Sequence, residues 1–335
     1  MKNRQSIQMG IAFSHSLLSY KLNGKPKPFS ASFVVSNNCN IHCSYCSFPT
    51  LKSEELTLPQ IDKLFNNLKK LGVRRLGLLG GEPLFRKDIL EIISLAKKKE
   101  FFISLNSNLL MYEKFKGKLG QIDYFFTSLD GRPETHIKNR GKQSFDKIIE
   151  AIKDIRLKGK KVTAICVVNG QSKEDIEYLV KLAKESDFTL HFQPECFDSE
   201  YVANSAPTID ELESFKKVWQ FIGGMKKAGA PITSSLAYLD YISKWEDFSI
   251  SALFDPAERC AAGRGYLLVD VKGYGYPCAF TKGKTEGINL LENDWSIAFN
   301  KKTPCTKCIV GPMLEFNTLF RSPVGAISNI IKNIY

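Results

Sequence analysis

Three cysteines, Cys39, Cys43 and Cys46, lie on one short stretch at C-x3-C-x2-C spacing, directly after an apolar run that predicts a β-strand over residues 31–35. Thiolates bind soft metals and iron–sulfur clusters, and three on one loop can reach three corners of a 4Fe–4S cubane. No fourth ligand follows within the loop, so one iron of such a cluster would keep an open position. A partial zinc site and three simply buried thiols are the alternatives.

Four more cysteines form a second group near the carboxyl terminus: Cys260, Cys278, Cys305 and Cys308. The first two flank a glycine in a C-x12-G-x4-C pattern, and the last two form a C-x2-C pair. Four thiolates could hold either a structural zinc ion or a saturated 4Fe–4S cluster.

The composition indicates a globular chain in a reducing compartment. With 335 residues and 43% hydrophobic content, the chain can bury a sizeable core in one large or two ordinary domains. Of the nine cysteines only Cys166 and Cys196 lie outside the two groups, and this clustering favours metal ligation over a secreted disulfide scaffold. Because no apolar run suits a signal peptide or a membrane span, we expect a cytoplasmic protein.

The chain is basic, with 47 Lys and Arg against 35 Asp and Glu, a net charge of +12. Such an excess can attract nucleic acid, anionic lipid or a phosphorylated substrate. The lysines are spread along predicted helix faces, as at residues 97–99 and 158–161, with no interleaved aromatic stripe. A solvated lysine-rich surface is therefore the favoured interpretation, and we expect no nucleic-acid partner.

Strand-length apolar runs alternate with segments of helical periodicity from residue 31 onward. Helical spacing, as in Ile61, Leu64 and Leu68 after Thr57, separates the runs and predicts a parallel βα fold. Periodicity alone does not separate a doubly wound sheet from a barrel, but in a βα barrel chemistry gathers at the loops that follow the strands. The six predicted strands cover residues 31–35, 75–79, 101–106, 124–129, 162–168 and 189–194.

The second predicted strand ends in Gly80-Gly81-Glu82-Pro83, 34 residues after Cys46. Paired glycines let a backbone approach a ligand closely, and a glutamate can accept a hydrogen bond from an ammonium group. Taken alone, this tetrapeptide could equally be an ordinary turn.

Together, the three-cysteine loop, the aromatic residue before its last cysteine and the glycine–glutamate turn resemble the signature of the radical S-adenosylmethionine (SAM) superfamily. The resemblance implies an α/β fold, a partial (β/α)6 TIM-like barrel, with a catalytic 4Fe–4S cluster on the three cysteines. It also implies that the turn holds the methionine amino group of SAM. The cofactor-binding residues that it suggests are Tyr45, Gly80, Gly81, Glu82, Pro83, Asn106, Ser128 and Asp130.

The last three of these residues belong to two later strand ends, S-L-N-S-N at residues 104–108 and S-L-D-G at residues 128–131. In the family such turns lie near the cofactor, so Ser128 and Asp130 could hydrogen-bond the SAM ribose or carboxylate, or the substrate. Turn chemistry without any ligand is an equal alternative. Arg140 is equally compatible with an anion contact and with a solvent-exposed position.

The second cysteine group resembles the opening of the SPASM/twitch extension of radical SAM enzymes, in which a β-hairpin carries the first two ligands. Because Cys308 is the last cysteine, the resemblance implies the shorter twitch form with one auxiliary 4Fe–4S cluster, favoured over zinc. We therefore expect four segments: a helical preamble (1–28), the barrel core (29–200), a helical bridge (201–254), and a small twitch-like β-hairpin and helix domain (255–335).

These resemblances predict an enzyme that reductively cleaves SAM to a 5′-deoxyadenosyl radical, which abstracts hydrogen from an unactivated C–H bond of a small molecule or peptide. The auxiliary cluster would transfer electrons during oxidation or bond formation, and a donor such as flavodoxin or ferredoxin would reduce the enzyme. Amphipathic segments at both ends and the basic charge keep open a lipid or polyprenyl-type substrate at a membrane surface. The alternative from another class is a non-catalytic iron–sulfur protein.

Overall fold

The computed structural model describes residues 2–22, 27–141, 145–195, 209–245, 260–292, 308 and 310–321, and its centre is one nine-stranded sheet. The strands are β1 (Ser30–Ser36), β2 (Arg75–Gly80), β3 (Phe102–Asn106), β4 (Tyr124–Ser128), β5 (Lys161–Val168), β6 (Thr189–Pro194), β7 (Tyr266–Val269), β8 (Tyr274–Tyr276) and β9 (Ile288–Asn289). Their order across the sheet is β6-β5-β4-β3-β2-β1-β7-β8-β9.

Helices separate most of these strands and follow them in the chain. The helices are α1 (Lys2–Lys21), α2 (Leu58–Leu71), α3 (Ile89–Lys98), α4 (Tyr112–Phe115), α5 (Pro133–Arg140), α6 (Phe145–Leu157), α7 (Lys173–Glu185), α8 (Ile209–Lys227), α9 (Leu236–Ser243) and α10 (Gly311–Arg321).

The predicted α/β fold is confirmed as a partial barrel. Strands β1 to β6 run parallel, each paired with the next along the chain. Among the described strands β6 does not pair with β9, so the barrel stays open. The outer edge of β6 is covered by a short segment before α9, since the Leu190 amide donates to Pro231 O at 2.8 Å and the Thr233 amide donates to Leu190 O at 2.7 Å.

Alternation along the strands separates the helix-facing side from the barrel interior. On β1, Ala31, Phe33 and Val35 belong to the main apolar core together with residues of α2, whereas Ser32 and Ser36 point the other way. Local signals fix the helix ends. Thr57 and Gln60 form a capping box at the start of α2, and Gly72 ends that helix at φ +106°.

The carboxyl-terminal cysteine segment joins the sheet of the barrel itself, because β7 pairs in parallel with β1. Strands β7 and β8 form an antiparallel hairpin whose turn places Gly273 at φ +86°. The turn of this hairpin lies at residues 270–273, where the Gly273 amide donates to Asp270 O at 3.0 Å. The domain boundary at residue 255 remains a prediction.

The amino-terminal preamble forms α1, which packs near the beginning of β1. Phe13 meets Phe29 edge-on at 5.3 Å between ring centres and meets Phe320 of α10 at 5.7 Å. Between β3 and β4 the chain forms only the single helical turn α4, after Leu109 adopts φ +60°. The polar helix α5 has too little apolar periodicity to be predicted from the sequence. No helix among the described residues is long and apolar enough to cross a bilayer.

Candidate active site

The three-cysteine loop follows β1 and carries Cys39, Cys43 and Cys46 as half-buried thiols. The Cys46 amide donates to Cys43 O at 3.1 Å, so a turn joins the last two. Burial is the main cause that raises the pKa of Cys43 to about 11. Arg140 opposes the rise, and Cys46, Asp130 and Cys39 add to it. Metal binding would release the protons of these thiols.

The paired glycines at the end of β2 lie directly against the base of this loop. A Cβ atom on Gly81 would lie 2.3 Å from Asn38 O, and one on Gly80 would lie 2.2 Å from Ser36 O. The amides of Gly81 and Glu82 donate to Ser36 O and Asn38 O, each at 2.9 Å. The glycines are therefore needed for backbone contact with the loop, and their predicted contact with SAM stays a prediction.

Glu82 is fully buried and ties the ends of β2 and β3 together. Its Oε1 accepts from the Leu84 amide at 2.9 Å and from Ser107 Oγ at 2.8 Å, and its Oε2 accepts from the Asn108 amide at 2.7 Å. Burial raises the pKa of Glu82 to about 7 although these donors act to lower it. Pro83 is buried and begins the short helical turn that follows. The predicted roles of Glu82 and Pro83 in SAM binding remain predictions.

Asn108 connects the end of β3 to the cysteine loop, since its Nδ2 donates to Asn40 Oδ1 at 2.7 Å. Sequence reasoning selected the neighbouring Asn106 instead, which lies half-buried at the last position of β3. The shared S-L-N-S-N segment marked the right place, but spacing alone did not show which asparagine faces the loop.

Asp130 lies just beyond β4 and is fully buried, with both carboxylate oxygens engaged. Its Oδ2 accepts from Tyr45 OH at 2.9 Å and its Oδ1 accepts from the Val167 amide at 3.2 Å. Its backbone amide donates to His136 Nδ1 at 3.3 Å. The structure thus brings Asp130 and Tyr45 together, while Ser128 lies half-buried at the end of β4. A contact of these residues with SAM remains a prediction.

Arg140 ends α5 and is a site residue that sequence reasoning did not select. Its side chain is 9% exposed, and its fork pairs with Asp130 through Nε–Oδ2 at 2.7 Å and Nη2–Oδ1 at 3.1 Å. Its Nη1 lies 3.9 Å from Cys43 Sγ, and its guanidinium carbon lies 5.4 Å from the centre of the Tyr45 ring. Burial acts to lower the pKa of Arg140, but Asp130, Tyr45 and Cys43 raise it above its ordinary value. The sequence around Arg140, a single arginine before a glycine, did not indicate that the side chain is buried.

The comparison with known protein families decides what this arrangement is. Residues 33–183 match the model of the radical SAM superfamily, a range that runs from β1 through the cysteine loop to α7. Residues 33–183 form a radical SAM domain.

Curated relatives match about half of the chain. A GTP 3′,8-cyclase from Marinobacter nauticus is 30% identical over 170 residues, covering 47% of this chain and 51% of the relative. An Fe-coproporphyrin III synthase from Methanosarcina barkeri is 31% identical over 177 residues, covering 50% of this chain and 43% of the relative. The chain therefore spans about half the length of these relatives.

A solved structure shares the fold over more of the chain. SuiB from Streptococcus suis bound to S-adenosylmethionine superposes with a TM-score of 0.65 at 17% identity, covering 83% of this chain and 67% of SuiB. SuiB bound to its precursor peptide SuiA gives a TM-score of 0.64 at 18% identity, with coverage of 83% and 66%. This likeness shows the fold alone.

Members of the radical SAM superfamily use a 4Fe–4S cluster and SAM, and the donor set of the radical SAM domain fits both. Three soft thiols stand on one loop with no fourth ligand inside it, which suits a cluster with one open iron. Backbone carbonyls and buried polar groups surround the loop at the ends of β2, β3 and β4. Within the described ranges no three His, Cys, Asp or Glu side chains are grouped so that they could hold one metal ion, so the fit to a cluster rests on the type, number and spacing of the thiols.

The second cysteine group lies beyond the radical SAM domain, around β7 and β8. Cys260, Cys278 and Cys308 pack in one apolar cluster with Met313 of α10. The Cys260 sulfur accepts from Asn317 Nδ2 at 3.6 Å. Cys305 and the unassigned Cys196 lie outside the described residues. Cys166, on β5, is fully buried in the main core. Three of the four predicted ligands therefore pack against the same apolar residues, and their binding of an auxiliary cluster stays a prediction.

Proposed function

We propose that the chain is a cytoplasmic radical SAM enzyme whose Cys39, Cys43 and Cys46 hold a 4Fe–4S cluster that, once reduced, cleaves SAM to a 5′-deoxyadenosyl radical able to abstract hydrogen from an unactivated C–H bond. The observation that carries the proposal is the placement of three thiols on one loop, braced by the glycine–glutamate turn in an open parallel barrel. Clustered free thiols also suit a reducing compartment.

The surrounding residues orient the ligands and exclude water. The turn from Gly80 to Glu82 supports the base of the cysteine loop. Asn106 and Ser128, half-buried at the ends of β3 and β4, are assigned hydrogen bonds to SAM because β3 lies next to the strand that carries that turn and β4 lies next to β3. The open side of the barrel gives a substrate access, while buried strands keep the interior dry.

We assign an auxiliary 4Fe–4S cluster to Cys260, Cys278, Cys305 and Cys308. Three of these residues share one apolar cluster, and an amide already donates to the Cys260 sulfur, as is common around iron–sulfur ligands. With four thiolates the cluster has no open iron, so its role is electron transfer during oxidation or bond formation. A one-electron donor such as flavodoxin or ferredoxin reduces the enzyme.

The substrate is a small molecule or a peptide. The names of the relatives point to different molecules, a nucleotide as substrate and an iron porphyrin as product, whereas SuiB was solved with a precursor peptide. Because SuiB shares the fold over 83% of this chain, including part of the region beyond the radical SAM domain, the peptide class is favoured.

The experiment that tests the proposed function measures 5′-deoxyadenosine by liquid chromatography after anaerobic reconstitution, reduction with dithionite and addition of SAM. We expect at least tenfold more product from wild type than from a Cys39/Cys43/Cys46→Ala variant. Cys166→Ala, which removes a core thiol, is the matched control and should retain the activity. Product at the level of the triple variant would favour the non-catalytic iron–sulfur protein instead.

A second candidate, a lipid or polyprenyl-type substrate, is supported by one surface. Helix α1 packs through Phe13 against Phe29 and Phe320. On the other side, Ile11, Leu18 and Leu22, which directly follows the helix, form an apolar stripe and are 52%, 58% and 71% exposed. The helix contains basic but no acidic residues. An apolar stripe on a basic helix suits the surface of an anionic bilayer.

This candidate predicts that the chain floats with vesicles of phosphatidylcholine and phosphatidylglycerol at low salt, and less with phosphatidylcholine alone. Replacing Leu18 and Leu22 by glutamate should abolish flotation, because charge replaces the apolar stripe. Leu157→Glu, at another highly exposed leucine, is the matched control and should float as wild type does. Absence of flotation in wild type, or equal flotation of all variants, would remove the support for a lipid substrate.

A further inference from the structure

The carboxyl end of α5 contacts three consecutive residues of the cysteine loop. Arg140 Nη1 points toward Cys43 Sγ at 3.9 Å. The preceding carbonyl, Asn139 O, accepts from the Ser44 amide at 2.9 Å, and the guanidinium lies over the ring of Tyr45. This helix end therefore holds the middle of the loop, whereas the end of β2 holds its base.

Asp130 fixes the direction in which the Arg140 guanidinium points. The carboxylate takes Nε and Nη2, which leaves Nη1 on the side of Cys43. Asp130 is itself oriented by the Val167 amide and by Tyr45 OH. Bidentate pairs of this kind add geometric specificity as well as strength. The donor thus faces the sulfur.

We propose that Arg140 is a positioning residue that directs an N–H donor at the Cys43 sulfur of the catalytic cluster and thereby makes that cluster easier to reduce. Hydrogen bonds to the sulfurs and nearby charge set the potentials of iron–sulfur clusters. Reduction adds a negative charge, so a donor on a cation stabilises the reduced state more than the oxidised one. Because Asp130 balances the net charge, the directed N–H carries most of the effect.

This inference rests on the proposed function, which places a catalytic cluster on the cysteine loop. Its test is a redox titration of the reconstituted full chain. The titration is monitored through the EPR signal of the catalytic cluster, which is the signal that changes when SAM is added. Arg140→Gln is compared with Arg132→Gln, the matched control. Arg132, which also follows β4, pairs with a buried aspartate of α7, through Nε–Oδ1 of Asp175 at 3.1 Å, and its ion-pair partners lie outside the cysteine loop.

We expect the midpoint potential of the catalytic cluster to become about 59 mV more negative in Arg140→Gln. At the wild-type midpoint potential, the ratio of oxidised to reduced cluster would then rise about tenfold. Iron content should stay at the wild-type value, and Arg132→Gln should titrate as wild type does. A variant that loads all its iron and keeps the wild-type potential would overturn the proposal.

Arg140→Lys keeps the positive charge and loses the two-pronged guanidinium contact with Asp130. It is the variant to measure if Arg140→Gln does not load iron. We expect Arg140→Lys to load iron and to shift in the same direction. If neither variant loads iron although both unfold at the wild-type temperature, positioning of the loop is supported. If both unfold early, Arg140 only stabilises the fold and the proposal fails. A wild-type loop without iron would contradict the proposed function instead.

Discussion

Replacing Gly81 by alanine should remove the iron bound at the three-cysteine loop. The new Cβ would lie 2.3 Å from Asn38 O and 2.6 Å from Asn37 O, and both atoms belong to the backbone that leads into Cys39. Neither can give way as a flexible side chain would, so the base of the loop must shift. We expect loss of about four irons per chain, together with a destabilisation of about 1–3 kcal/mol as in overpacked cores. Iron analysis and thermal unfolding measure the two effects.

The control for this variant is Gly120→Ala. Gly120 has no heavy atom within 4 Å of an added Cβ, so the same chemical change should leave iron content and unfolding temperature at the wild-type values. Full iron loading in Gly81→Ala would show that the loop is not braced by the end of β2, and the role assigned to the paired glycines would then be wrong.

Replacing Cys260 and Cys278 by alanine should remove the auxiliary cluster and leave the catalytic one in place. The two sulfurs lie in the apolar cluster between β7, β8 and α10, away from the loop after β1. We expect the iron content to fall from about eight to about four per chain, while 5′-deoxyadenosine still forms from SAM. Iron analysis and the SAM cleavage assay, run on the same preparations, measure both.

Met313→Leu is the matched control, because Met313 lies in the same apolar cluster and the change keeps its approximate volume. It should retain all the iron. Stoichiometric zinc in wild type, lost in the cysteine variant, would identify a zinc site and remove the electron acceptor from the proposed mechanism. An unchanged iron content would show that Cys260 and Cys278 hold no iron–sulfur cluster.

Much of the fold could be predicted from the sequence because its signals are local. The six parallel strands lie within a residue or two of the predicted ranges, since each is a short apolar run between helical patterns. The spacing of Cys39, Cys43 and Cys46, together with the turn at Gly80, indicated the family without any knowledge of side-chain directions. The pairing of β7 with β1 joins residues more than 230 positions apart, and no local pattern encodes it.

The contacts around the cysteine loop could not be predicted because they depend on side-chain direction and distant pairing. Tyr45 and Asp130 are 85 residues apart in the chain but share a hydrogen bond. The sequence selected Glu82, but it did not indicate that the carboxylate accepts hydrogen bonds from the end of β3. Arg140 is buried only because Asp130 compensates its charge, and neither residue alone indicates the pair.

The most direct test of the whole account is the count of iron and sulfide per chain after anaerobic reconstitution, in wild type and in the Cys39/Cys43/Cys46→Ala variant. The account predicts about eight irons in wild type, in two cubanes, and about four in the variant. An iron content that the triple substitution leaves unchanged would contradict it, because the loop after β1 would then hold no cluster.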